Sequence, residues 1–200
     1  MVRKVISLKI DEFMGENVRD KLKKCGKEVT IHPFAKITNP EVVEIGDYSR
    51  IDDFTFINGG AGIKIGRFVH IASFTSIIGG GELDVGDFSG ISAGSRIITG
   101  SDDFSGRSLV SPCVPAKYKP HCYQGNVKLC RHVILGTNTV VHPNVTLGEG
   151  AATGSNTLVT KDLEPWGIYT GSPAKRVKDR SREMLELEKQ FIAEVYGTQS

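Results

Sequence analysis

Two hundred residues suffice for one domain with a full hydrophobic core and a short appendage at each end. With 25 basic against 23 acidic side chains the formal charge is +2, too weak a field to argue for DNA, RNA or an anionic membrane surface. No run of about 18 apolar residues suggests a membrane span, and the opening MVRKVISLKIDEFMGE, charged on both sides of a short apolar run and lacking a small-residue cleavage site, does not read as a signal peptide; a soluble cytoplasmic protein is expected.

Residues 1–36 read as an N-terminal cap. Within it, 16–24 (ENVRDKLKK) can form a short basic helix, and 27–36 form a lead-in that covers the first coil of a repeat array. Such a cover is needed because an open solenoid end exposes core and unpaired strand edges. From residue 37 to 164 the chain falls into sixes. Ile45, Ile51 and Ile57 each open a hexad whose fifth residue is small; the frame returns at Ile65, Ile71 and Ile77, then at Val85, Ile91 and Ile97, a repeat of 20 residues. A second block runs through Leu129, Leu135, Val141, Leu147, Thr153 and Val159 with a repeat of 18, and Gly136, Gly148 and Gly154 stand second in their hexads. Three hexads per turn imply a triangular coil in which opening aliphatics point inward and stack on their counterparts, while small residues and glycines fit the corners. Periodicity alone makes this a parallel β-solenoid and leaves its hand open.

Between the blocks, residues 99–126 break the frame with a stretch rich in Gly, Pro, Ser and mixed charge. A loop of this length inside a regular array is usually functional. After the repeats comes a tail, 165–200, in which Met184, Leu187, Phe191 and Val195 form one helical stripe with Leu185 and Ile192 beside it; it is expected to pack on the last coil or on a neighbouring subunit. Cys25, Cys113, Cys122 and Cys130 are spaced 88, 9 and 8 apart, match no zinc or redox pattern and read as free thiols, so no metal is expected.

The hexads, the break before residue 129 and the segments Val159-Thr160-Lys161-Asp162 and Gly171-Ser172-Pro173-Ala174-Lys175 resemble the hexapeptide-repeat acyltransferase family, over roughly residues 37–178. The resemblance implies a left-handed β-helix, a homotrimer and acetyl-CoA as acyl donor. It also implies that the loop walls an acceptor site against an adjacent subunit, and that Thr137, Ser155, Thr160 and Lys161 lie along the pantetheine arm. Lys175, Arg176 and Arg180 are placed to meet the nucleotide phosphates of the donor.

Acyl transfer from a thioester needs a deprotonated acceptor and stabilisation of an oxyanion. Galactoside-type members of the family carry a histidine after the Thr-Gly that begins the loop; here that place reads Thr99-Gly100-Ser101-Asp102-Asp103-Phe104, without one. His70, outward-facing and expected close to the face where the loop leaves, is the first candidate base, and His121 inside the loop the second. Asp102 and Asp103 are candidates to orient the base, to bind an acceptor hydroxyl or ammonium or to act as a weak base, with a plain Asx-turn as the alternative. His132 and His142, in regular hexads, are expected to be structural or simply exposed. TGSDDFSG resembles a variant found in surface-polysaccharide acetyltransferases, which favours a sugar acceptor, either a nucleotide-linked amino sugar or a precursor hydroxyl. Competing readings are a non-catalytic scaffold and a zinc-dependent carbonic anhydrase. The latter needs three converging histidines, including a closely spaced pair that the chain lacks.

Overall fold

The computed structural model describes residues 10–197; most of the segment that argues against a signal peptide lies outside these residues. Three parallel sheets form the sides of a triangular prism of about seven turns. The first face starts at Lys24–Cys25 and Val43–Ile45 and ends at Thr146–Leu147. The second includes Thr30–Ile31, Arg50–Ile51, His70–Ile71, Gly90–Ile91 and Ile134–Leu135, and the third Lys36–Thr38, Phe56–Asn58, Ser76–Ile78, Arg96–Ile98 and Val140–Val141. Register sets like over like: Ile51 pairs with Ile71, Ile71 with Ile91 and Ile91 with Leu135, all essentially without solvent contact. Each such side chain contributes about 1.5–3 kcal/mol by leaving water. The small fifth residues are inward too, and their hydroxyls bond to backbone instead of water, as Ser49 Oγ does to the Gly66 carbonyl at 2.8 Å.

The hexad frame places the first coil at residue 37, whereas ladder pairing begins at Lys24, with Cys25 beside Ile45 and Ile31 beside Ile51. Residues 27–36 are therefore part of the first coil. Cys25, Ile31 and Ile37 continue the same frame, and a cysteine in the opening place hides it. The expected basic helix at 16–24 is a 3-10 helix over Gly15–Lys21, and Lys24 already belongs to a strand. At the far end the coil continues past residue 164: Gly167–Thr170 adds to the second face beside Ala152–Thr153, and Lys175–Asp179 folds back antiparallel on it.

Two corners carry ladders of residues in the left-handed conformation, which bulky side chains rarely adopt. Between the first and second faces stand Tyr48, Phe68, Phe88 and His132, with φ of 56–60° and successive rings 5.1, 4.9 and 5.4 Å apart. Stacking of this kind contributes about 0.5–1.5 kcal/mol per pair, which offsets local backbone cost. Helix α1 (Met184–Tyr196) lies across this corner, Phe191 meeting Phe68 edge-on at 5.0 Å. The apolar stripe is only partly its packing face. Leu187 remains largely exposed, while Glu188 turns inward to Arg131 and to His132 Nε2 at 2.9 Å. The buried imidazole needs a polar partner, and this decides the rotation of the helix.

Candidate active site

The loop leaves the prism at the corner between the third and first faces. Gly100–Ser101 pairs antiparallel with Tyr123–Gln124, a two-residue neck that brings both ends of the excursion together. Beneath it lies a cleft of about 760 Å³ lined by Asn58, Ile78, Asp102, Lys119, Cys122 and Tyr123 among others. The glycines opposite the neck let the chains approach: Gly79 has φ 119°, and a Cβ on it would run into Gly100 backbone.

Asp102 is the anchor of this loop. Its Oδ2 accepts from the Ser111 amide at 2.8 Å, and its Oδ1 from Cys122 Sγ at 3.0 Å and Lys119 Nζ at 3.3 Å. The Cys122 thiol and the Ser111 amide, with Lys119 behind them, hold the carboxyl below the usual range, so it is an anion at neutral pH. Asp103 is an Asx-turn. It accepts from Ser105 Oγ at 2.6 Å, from the Ser105 amide at 2.9 Å and from the Arg107 amide at 2.8 Å, bonds that bring its pKa to about 2. His121 is exposed in the loop, its amide donating to Ser108 Oγ at 3.0 Å.

His70 is outward and half-exposed, as its hexad position requires, with Nε2 2.9 Å from Asp52 Oδ2. Asp52 also accepts from Arg50 Nε at 2.6 Å, and His32 stands 3.8 Å away. The expected proximity to the loop does not hold within the chain. His70 is on the second face, and the loop emerges at the corner opposite that face. Topology decides this: each hexad turns the chain onto the next face, so a residue in the right column of the repeat can still stand on the wrong side of the prism.

The residues that the resemblance puts along the donor divide between two corners. Thr137 and Ser155 are exposed one coil apart between the second and third faces, where the Asn156 amide bonds to the Thr137 carbonyl at 2.8 Å. Thr160 and Lys161 are exposed at the opposite edge of the third face. Lys175 and Arg176 lie on the closing hairpin, Arg176 engaged by Asp179 at 2.8 Å and by the Tyr169 hydroxyl at 3.1 Å. Arg180 Nη1 donates to the carbonyls of His132 at 2.7 Å and Gly150 at 3.0 Å, a bracing role between hairpin and coil. Ser92, to which the hexad pattern draws no attention, follows Ile91 at the corner between the second and third faces; its backbone is paired, and its Oγ has no hydrogen bond among the described residues.

No family model matches the chain. A dTDP-4-amino-4,6-dideoxy-D-glucose acyltransferase of Escherichia coli is 37% identical over 176 residues, 88% of this chain and 91% of that protein. A serine-to-cysteine variant of the N-acyltransferase AntD of Bacillus cereus, in crystals with dTDP-4-amino-4,6-dideoxyglucose and coenzyme A, superposes with a TM-score of 0.82 at 37% identity over 88% of this chain and 92% of AntD. Further AntD crystals hold dTDP with 3-hydroxybutyryl-CoA, or carry variants of one serine and of an aspartate ten positions after it. A hexapeptide-repeat acetyltransferase of Vibrio cholerae in complex with acetyl-CoA, 18% identical with a TM-score of 0.57, shares the fold. With the repeat, the loop and identity of this extent along nearly the whole length, the chain belongs to the hexapeptide-repeat, left-handed β-helix acyltransferases that use CoA thioesters to acylate sugars.

Proposed function

We propose that the chain transfers a short acyl group from its CoA thioester to the amino group of a nucleotide-linked 4-amino-4,6-dideoxy sugar, at a junction between copies in a homotrimer. One observation carries the assignment of the site. Among all serines of this chain only Ser92 has an aspartate ten positions on, and that aspartate is Asp102 at the mouth of the loop. The same spacing separates the two residues varied in AntD.

Ser92 and Asp102 stand at opposite edges of the third face, roughly 13 Å apart at the usual strand rise. A single amine cannot touch both in one chain. It can where the loop corner of one copy meets the Ser92 corner of the next, and the same junction brings Thr160 and Lys161 toward the partner's Thr137 and Ser155. That geometry favours the oligomer.

In the reaction the acceptor nitrogen attacks the thioester carbonyl carbon, the C–S bond breaks, and the nitrogen proton leaves as CoA departs as thiol. An amine needs its lone pair free and little further activation. Asp102, held ionised by its three donors, is too weak a base to remove the proton of an ammonium but well suited to accept a hydrogen bond from an N–H of the free amine, turning its lone pair toward the thioester. Ser92 Oγ is the second hydrogen-bond partner. His70 is not needed for the step, and its pairing with Asp52 places it on the surface of the second face. The test is thiol release from acetyl-CoA with dTDP-4-amino-4,6-dideoxyglucose, and mass spectrometry of the product. Acylation at nitrogen is expected; absence of turnover with this and with hydroxyl sugars would leave the scaffold reading.

A further inference from the structure

The corner between the second and third faces carries a second aromatic ladder. Phe34, Phe54 and Phe74 stack with centroids 5.5 and 5.2 Å apart and planes 3° and 11° from parallel. The ladder at the other corner is covered by Phe191 and Tyr196 of α1. Here no such cover exists among the described residues, and Phe74 is 60% exposed.

One coil beyond Phe74 the ladder has a rung without a ring. The equivalent residue is Gly94, with φ 73° in the same left-handed conformation as Phe54 at 61° and Phe74 at 62°. Beyond it, Asn138 takes the corner, and its Oδ1 sits where a Cβ of Gly94 would be. The inner end of the rung is therefore an amide oxygen, its floor is the open face of Phe74, and its width is one coil, the spacing at which these rings already stack. Two residues before Gly94 stands Ser92. Two residues after it stands Arg96, whose Nη1 is fixed on the carbonyls of Phe74 at 2.7 Å, Ser95 at 3.2 Å and Gly94, with Nε and Nη2 unengaged among the described residues.

We propose that this vacant rung seats the sugar ring of the acceptor, with a C–H face of the ring and the C6 methyl on Phe74 and the diphosphate toward Arg96; this rests on the acceptor class proposed above. A sugar fits better than a nucleobase. Ser92 is assigned to the amine and lies two residues away, whereas the base is separated from the amine by the whole sugar diphosphate. The missing 6-hydroxyl lowers the cost of desolvating that end of the sugar, and the ring C–H groups and the C6 methyl pack on the π face. Phe74 and Gly94 are thus specificity-determining residues.

The test uses Gly94→Phe and Phe74→Leu in the full-length protein with acetyl-CoA. Gly94→Phe completes the ladder in a backbone conformation that Phe54 and Phe74 already adopt, with the flexible Asn138 amide rotating aside. It should keep the wild-type Tm, assembly mass and affinity for CoA and for dTDP alone, yet lose turnover of dTDP-4-amino-4,6-dideoxyglucose by more than about a hundredfold. Phe74→Leu should raise the acceptor KM about tenfold with kcat nearly unchanged, and should erase the wild-type preference over the analogue that keeps its 6-hydroxyl. Wild-type turnover by Gly94→Phe would overturn the proposal. So would loss of dTDP binding in Phe74→Leu, which would put the base on the ladder, or a fall in assembly mass in step with activity, which would make the ladder a subunit contact. If the wild-type protein does not acylate this acceptor, it is the function itself that fails.

Discussion

At the scale of single residues, the two neighbouring aspartates divide their work. Asp102 faces the cleft and Asp103 builds the turn behind it. On the proposed role, Asp102→Asn keeps the shape and removes the charge that orients the acceptor amine, so kcat/KM should fall by about 10²-fold while CoA affinity changes little. Because the carboxyl is already ionised well below neutrality, the pH profile of the wild-type enzyme should rise with deprotonation of the acceptor amine and show no limb from a histidine near 6.5. His70→Ala, measured alongside, should retain activity within about threefold; a drop of two orders of magnitude would restore the histidine as base. Asp103 offers a separate check. Its pKa is depressed to about 2 from 3.8, so its turn is favoured above the unfolded value and is lost as pH falls through about 2. The amide resonances of Ser105 and Arg107 should titrate together with that midpoint, and a midpoint near 4 would mean the bonds are not made in solution.

Among the elements, the loop and α1 follow different physics. The loop has almost no buried apolar surface; its order comes from the neck at Gly100–Ser101 and from donors converging on Asp102 and Asp103. Helix α1 has no fully buried residue. It is held by ring edges on the ladder and by Glu188, which faces Arg131 and the buried His132. Glu188→Ala should destabilise the protein by about 1–3 kcal/mol, the cost of leaving a buried polar partner unsatisfied, while turnover at low temperature is unchanged because the loop mouth is at another corner. A thermal melt beside an activity assay separates the two effects.

The whole molecule is a stack of nearly identical coils, each supported by its neighbours through columns of Ile, Val and Leu. Ile71 stands in the middle of one column, paired with Ile51 below and Ile91 above. Ile71→Asp should unfold or aggregate the protein, since an unpaired charge in that place costs several kcal/mol; circular dichroism of a well-folded variant would break the register. Assembly follows from the same regularity. A flat-sided prism offers clefts chiefly at the loop and between prisms, so light scattering is expected to give a trimer, and a stable monomer near the chain mass of 21.7 kDa would remove the junction proposed to bring Ser92 and Asp102 together.

Much of this was legible in the amino-acid order. A solenoid repeats one local solution many times, and inward residues recur every six positions whatever surrounds them, so Ile45 to Val159 declare the columns before any contact is known. The first coil was harder to read because Cys25 stands where an aliphatic opens the other coils. The loop mouth and Asp102 were also accessible, since a break in a periodic pattern is as visible as the pattern. What the repeat cannot carry is which corner faces which. That His70 is across the prism from the loop, that Glu188 and not the apolar stripe alone orients α1, that Thr137 and Lys161 lie a face apart, and that Gly94 leaves a rung open above Phe74 all depend on how the coil closes in three dimensions. Periodicity specifies the distance of a residue from the axis and its column; its neighbours across the corners come from folding.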